Sequence, residues 1–301
     1  MASYFQSDSA TNWGFKANKV EMNGDSFKKN EELYHQIRNL RSHDPECTSF
    51  SLASSVATYS ESSPLGLRGE RKLRHINQVE DMVNMLKRNN RVLVTATDYA
   101  YLNAFYVCYT TSRLWRFRNF FVVALNQHAY DVLEQQGFPV ALVSSSDYAS
   151  GGDTPSLYDG YAFNQLTALK LIAVQKVLNM GVNCLFFDSD VVIFQNPFKY
   201  VPTDEEFDFI AQKDATICSG FVYWRPTERS LATLQLTLQK MKERNIHDQT
   251  ALVEVVENQL VPGLKSLLFE PMLYNRGSIY FEMHQFGWGP HSRRKENRVN
   301  E

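Results

Sequence analysis

Apolar and polar positions change their spacing several times along this chain, and each change marks an element. Residues 1 to about 75 are rich in Ser, Asn, Asp, Glu and Lys, with scattered aromatics and no sustained period. That pattern predicts a loosely ordered or peripheral segment, with SLASSVATYSESSPLGLRG as a linker. From His75 the character changes. INQVEDMVNMLKRNN places apolar residues at helical spacing, and RVLVTAT follows as a β-branched run, so a helix feeds a buried strand. The alternation repeats as a helix from Tyr99 to about Leu114, a strand in NFFVVAL, a helix from His128 to Gln136 and a strand in FPVALVS. A polar loop, SSSDYASGGDTPSLYDG, precedes a long helix from Ala162 to Met180 stopped by Gly181, and then the strand VNCLFF. Alternating strands and helices predict an α/β domain over residues 76–301, a Rossmann-like, mostly parallel sheet with helices on both faces. Open sheets of this kind bind ligands beyond the carboxyl ends of their strands, which directs attention to the residues after VLV, VVAL, ALV and LFF.

Composition narrows the class. With 301 residues and 44% hydrophobic content the chain can bury a core, and Lys and Arg (31) nearly balance Asp and Glu (33). No global positive field draws it to nucleic acid or to an anionic membrane, so an anionic ligand must be held locally. Cys47, Cys108, Cys184 and Cys218 are widely spaced, which argues against a zinc site and a dense disulfide framework but leaves room for one bridge. The opening MASYFQSDSATNWGF has neither the basic start nor the uninterrupted apolar stretch of a signal peptide or anchor, as would also hold for a chain whose anchor lay upstream, and no later stretch is long and apolar enough to span a membrane.

The chemistry gathers where Val182–Phe187 ends in Asp188-Ser189-Asp190. In extended geometry alternate side chains share a face, placing the two carboxylates roughly 6–7 Å apart at the ligand-binding edge of the sheet. Like charges beside an apolar core either raise one pKa or recruit a cation. Hard oxygen ligands suit Mg²⁺ or Mn²⁺, which complete their shells with substrate phosphates and neutralise the charge that develops on a departing diphosphate. An isolated D-x-D more often only caps a turn; the apolar strand before this one and VVIFQNPF after it favour the metal reading.

Taken with FNQLTALKLIAVQKVLNMG, CSGFVYWRPT, HDQTAL and FEPMLYNRGSIYFEM, this block resembles the nucleotide-diphospho-sugar transferase family, from about Arg91 to about Phe286. That family has a GT-A fold and includes plant cell-wall xylosyl- and arabinosyltransferases. The resemblance implies retaining transfer of a sugar from a nucleotide-diphosphate donor, often UDP, to a hydroxyl of a glycan or glycoprotein acceptor, with Mn²⁺ on the D-x-D. It implies Asp190 as metal ligand and Asp188 at the ribose or the metal shell, with Ser189 between them on the donor. Thr95, Ala96, Thr97 and Asp98 would lie against the nucleoside, and Lys170 would contact the diphosphate, its alternative being a solvated helix-face lysine. Gly220 would let the backbone approach the sugar, although Cys218 stands where the family has Asn. Asp248 and Gln249 would contact the donor sugar or the acceptor, the bland reading of Asp248 being a helix N-cap. Family members work in the Golgi lumen or elsewhere along the secretory pathway, whereas the visible sequence leaves a cytoplasmic location open.

One departure stands out. After GSIYF the family continues into a His-Asn segment that supplies a further metal ligand, whereas this chain runs MHQFGWGPHSRRKENRVNE, with His284 and His291 as candidates, His284 the better placed. Truncation there would leave a water in the ligand's place. A catalytically inactive or truncated relative that keeps the fold and nucleotide binding is therefore the rival reading. A nucleotidyltransferase ranks below it, because TATDYAYL lacks the glycines of a phosphate loop.

Overall fold

The computed structural model describes residues 78–203, 206–213, 216–270 and 273–274. The N-terminal segment, the GSIYF block and both candidate histidines, His284 and His291, lie outside the described residues.

The chain runs α1 (Val79–Leu86), β1 (Arg91–Thr97), α2 (Leu102–Thr111), β2 (Phe120–Ala124), α3 (Gln127–Gln135), β3 (Val140–Leu142), α4 (Tyr161–Asn179) and β4 (Asn183–Phe187). It continues through β5 (Phe209–Lys213), β6 (Ile217–Trp224), α5 (Glu228–Arg244), α6 (Asp248–Glu257) and β7 (Ser266–Leu268). The expected Tyr99–Leu114 helix is broken into α2 and two short 3-10 turns, Tyr99–Tyr101 and Leu114–Arg116. Asp98 starts the first by accepting the Tyr101 N–H, and Arg113 enters the second with φ near 50°.

The strands make one sheet in the order β3-β2-β1-β4-β6-β5-β7. Four adjacent pairs are parallel, while β6 runs antiparallel to both β4 and β5, so the sheet is mixed but mostly parallel. The strand–helix alternation stops at β4: among the described residues no helix intervenes before β5 and β6, which pair side by side. Helices cover both faces. Val92, Val94, Phe121, Val123, Phe186 and Trp224 pack on α1, α4, α5 and α6, while Leu93, Val122, Leu185 and Phe187 pack on α2 and α3. Cys108 and Cys184 are unpaired thiols within these cores.

α4 sets the position of the site. It is apolar nearly all round and therefore sunk into the core, yet it carries Asn164, Thr167 and Lys170 as buried polar residues. It ends at Gly181, whose φ of +72° is a left-handed conformation that a residue without Cβ adopts freely. The chain then turns straight into β4, whose carboxyl end lies beside that of β1, with Thr95 opposite Phe187.

Candidate functional site

β4 stops at Phe187, and the next four residues leave extended geometry. Val191 N–H donates to Asp188 O at 3.2 Å, so Ser189 and Asp190 are the central residues of a turn. The alternating-face argument for the two carboxylates therefore ends at Asp188; their relation is set by the turn.

Asp188 itself is fixed by its neighbours. Its N–H donates to Gly220 O at 2.8 Å across the β4–β6 ladder, and its two carboxylate oxygens lie 3.1 and 3.2 Å from Lys170 Nζ. Gly220 is required by contact: a Cβ there would fall 2.5 Å from Asp188 Oδ2. The Lys170 ammonium also meets Asp248 Oδ2 at 2.8 Å, and its side chain is only 8% exposed. Side chains on a helix lean toward its N-terminus, so Lys170, midway along α4, reaches up to the carboxyl end of β4.

Asp248 is the first residue of α6, 3% exposed, and does not cap the helix. The N-cap position belongs to His247, and the Asp248 carboxylate points to Lys170 instead, where the positive end of the helix also favours it. The next residue, Gln249, accepts the Ser219 N–H on its Oε1 at 3.3 Å, tying α6 to the start of β6. Asp188, Lys170, Asp248, Gln249, Ser219 and Gly220 thus converge from β4, α4, α6 and β6, and Lys170 is no solvated surface lysine.

Two carboxylates share one ammonium here. Burial and the charges of Asp248 and Asp190 raise the pKa of Asp188, and Lys170 only partly offsets them. Between the two acids the Lys170 pKa is itself raised well above the usual range, although burial opposes it, so the lysine stays charged. The Asp188 side chain remains 38% exposed and Asp190 is exposed, so both can meet a ligand from solvent. Among the described residues no three His, Cys, Asp or Glu groups gather as a closed metal cage. Two hard oxygen donors at an open turn nonetheless fit a cation that completes its shell with phosphates and water.

The end of β1 is more enclosed. Thr95, Thr97 and Asp98 are buried and Ala96 half-buried. The loop after β3 passes directly over Asp98: a Cβ on Gly151 would lie 2.9 Å from Asp98 Oδ2. Thr95 Oγ1 and Asp98 Oδ2 are buried without a hydrogen-bond partner, and burial pushes the Asp98 carboxyl up to about 6. Asn164 Oδ1, on α4, is likewise buried and unpaired. The sequence analysis does not single out Asn164, whose only signal is an Asn on an otherwise core-facing side of a long apolar helix. A concavity of about 450 Å³ lies beside this region, walled by the Ser144–Ser150 loop, Tyr161 and Gln165, and none of the Asp188 cluster lines it.

A family model for nucleotide-diphospho-sugar transferases matches residues 116–290, more than half of the chain. The chain belongs to this family. Proteins to which it is similar include arabinosyltransferase XEG113 of Arabidopsis thaliana, 25% identical over 202 residues, 59% of this chain and 30% of the relative. The UDP-galactose:fucoside alpha-3-galactosyltransferase of Dictyostelium discoideum is 24% identical over 153 residues, 42% of this chain and 24% of that protein. The chain therefore spans less than a third of either relative's length. Among solved structures, the glycosyltransferase GlyE of Streptococcus pneumoniae TIGR4 aligns with 65% of this chain and 49% of its own at 16% identity and a TM-score of 0.40. No helix among the described residues is long and apolar enough to cross a membrane.

Proposed function

We infer that this transferase moves a sugar from a UDP-type donor to a hydroxyl of a glycan acceptor, with retention, at the carboxyl end of β4. The observation that carries this reading is the buried Asp188–Lys170–Asp248 cluster, opened to solvent at Asp188, whose carboxylate lies so close to Gly220 that a Cβ there would clash. The Asp188 side chain stays 38% exposed and stands two residues before the exposed Asp190.

Asp188 and Asp190 would hold Mn²⁺ or Mg²⁺, which supplies charge neutralisation for the diphosphate as it departs. Lys170 keeps Asp188 ionised and aimed, and Gly220 lets the donor's sugar approach the β6 backbone. Thr95, Ala96, Thr97 and Asp98 form the nucleoside side, where the two unpaired oxygens await donors that a base or ribose can supply. Asp248 and Gln249 orient the sugar. The acceptor oxygen bonds to the anomeric carbon as the carbon–oxygen bond to the diphosphate breaks on the same face. The acceptor's proton passes to the departing phosphate oxygen, which balances the step without a further protein base.

The test is a thermal-shift titration with UDP and Mn²⁺, singly and together. Mutual dependence of the two shifts, abolished in Asp190→Ala, is expected. Release of free sugar from a UDP-sugar without acceptor then separates an active enzyme from an inert relative. The absence of any UDP shift across the manganese range overturns the reading.

A further inference from the structure

Thr95 Oγ1 and Asp98 Oδ2 stand toward the carboxyl end of β1, where an open sheet takes its ligands, yet both are buried and unpaired. What closes over Asp98 is backbone. A Cβ on Gly151 would fall 2.9 Å from Asp98 Oδ2 and 2.8 Å from Leu166 Cδ2, so the loop between β3 and α4 passes here as bare main chain. Burial keeps the Asp98 carboxyl up at about 6, away from the charge state it takes in water. A cover that leaves two oxygens without partners works against its own closure.

The cover is fastened from one side. Gly151 N–H donates to Leu125 O at 3.1 Å, just beyond β2. Asn126 Nδ2 donates to Gly151 O at 3.1 Å and to Gly152 O at 3.0 Å, while Asn126 Oδ1 accepts the Ala129 N–H at 2.9 Å as the N-cap of α3. One side chain thus starts a helix and grips the loop. His128, in the first turn of α3, stacks on Tyr99 with ring centres 3.6 Å apart and meets Asp153 Oδ1 through Nδ1 at 3.1 Å. No residue from Ser150 to Gly160 is buried, so this stretch has no apolar anchor of its own. Its flank is firmer: the Tyr148 hydroxyl donates to Leu238 O at 2.8 Å, on α5.

We propose that Gly151–Asp153 is a strap over the nucleoside end of the donor site, held shut by Asn126 and His128 and lifted for the donor to reach Thr95 and Asp98. The ligand in this proposal rests on the transferase reading; the fastening rests on geometry alone. A nucleoside that brings N–H or O–H groups to the two unpaired oxygens supplies what the shut form lacks, and that difference favours the lifted, loaded form. Asn126 and His128 are positioning residues, which act on the donor only through the strap.

Two variants unfasten the strap while leaving Thr95 and Asp98 intact. Asn126→Asp keeps an oxygen to cap α3 but sets a carboxylate against the Gly151 and Gly152 carbonyls. Asp153→Ala removes a carboxylate that is 60% exposed. On the whole chain, hydrogen-exchange mass spectrometry follows the peptide carrying the Gly151 amide, and stopped-flow with mant-labelled UDP in Mn²⁺ follows association. Asn126→Asp should speed both exchange and association about tenfold and Asp153→Ala about twofold, with circular dichroism unchanged. Unaltered exchange in Asn126→Asp overturns the strap, and so does faster exchange with an unaltered association rate. UDP that binds neither wild type nor variant removes the transferase reading, while faster exchange at Gly151 still upholds the fastening.

Discussion

Asp208 and Asp188 are both carboxylates drawn against the sheet and both lie beside a cation, yet their surroundings push them in opposite directions. Asp208, fully buried before β5, accepts the Thr227 hydroxyl at 2.6 Å on one oxygen, and Arg229 Nε at 2.8 Å and the Lys265 N–H at 2.7 Å on the other. Burial pushes its pKa up, but these donors outweigh it and the net shift is down. Asp188 has burial, Asp248 and Asp190 pushing up against a single lysine that it must share, and the net shift is up. A carboxylate surrounded by donors is a joint; it ties the start of α5 to β5 and to the segment before β7. One left short of donors and facing solvent is poised for another positive partner.

The comparison breaks most severely at Lys170. Lys170→Met leaves Asp188 and the nearly buried Asp248 with no counter-charge and should cost about 3 kcal/mol in urea unfolding at pH 7, less than a fully enclosed pair because Asp188 is partly wet. Adding Asp248→Asn should recover much of that loss, since it removes the second buried charge. A cost at or below that of Arg229→Met would mean the two carboxylates are not different in kind. Next in size is Gly220→Ala, whose Cβ must displace the Asp188 carboxylate. Crowding of this sort costs about 1–3 kcal/mol, and the UDP and Mn²⁺ shift should vanish with it while the fold, measured by circular dichroism, survives.

Arg229→Met should lower stability less, because Thr227 and Lys265 still serve Asp208. Its signature is in acid. A carboxylate whose folded pKa is depressed stabilises the protein above its unfolded pKa, and that contribution is lost as pH falls through the folded value. Removing Arg229 brings the folded value back toward the ordinary range, so the midpoint of acid unfolding should move to higher pH. Lys170→Met should not move it in that way, since the raised pKa of Asp188 has the opposite linkage.

How far the sequence reveals this contrast depends on the range of the interactions. The apolar runs of β1 and β4 and the helical period of α4 are local, so the strands, the long helix with its Gly181 stop and the position of Asp188 at the strand end are all legible without coordinates. The pairing of Lys170 with Asp248 is not, because it joins residues on two helices brought together only when α4 and α6 pack on one face. Nor is the turn at Asp188–Val191 evident, since a D-x-D can equally extend a strand. β5 and β6 break the βα alternation without any signal stronger than their own apolar content. α5 carries a helical period of its own, and Asp208 looks like any acidic loop residue until Thr227, Arg229 and Lys265 close on it. Asn126, His128, Gly151 and Asp153 follow no period at all; the start of α3 and the loop after β3 bring them together.

The smallest effect tests the middle of the scale. Asp98 has neither the cation of Asp188 nor the donor set of Asp208: Oδ1 accepts the Tyr101 N–H at 3.0 Å, and Oδ2 is buried without a partner. Burial holds its pKa up at about 6, so the folded protein binds the proton more tightly than the unfolded chain. Stability must then fall as pH rises from about 4 toward 6, by at most about 3 kcal/mol, and stay lower above that. Asp98→Asn removes the charge but sets an amide where Oδ2 lay, at a cost of about 1–3 kcal/mol if it finds no acceptor. The expected result is a net gain of about 1 kcal/mol or less at pH 8 and none at pH 4. A variant equally stabilised at both pH values would show that Asp98 titrates as an ordinary carboxylate, and that burial without a cation is not what sets it apart.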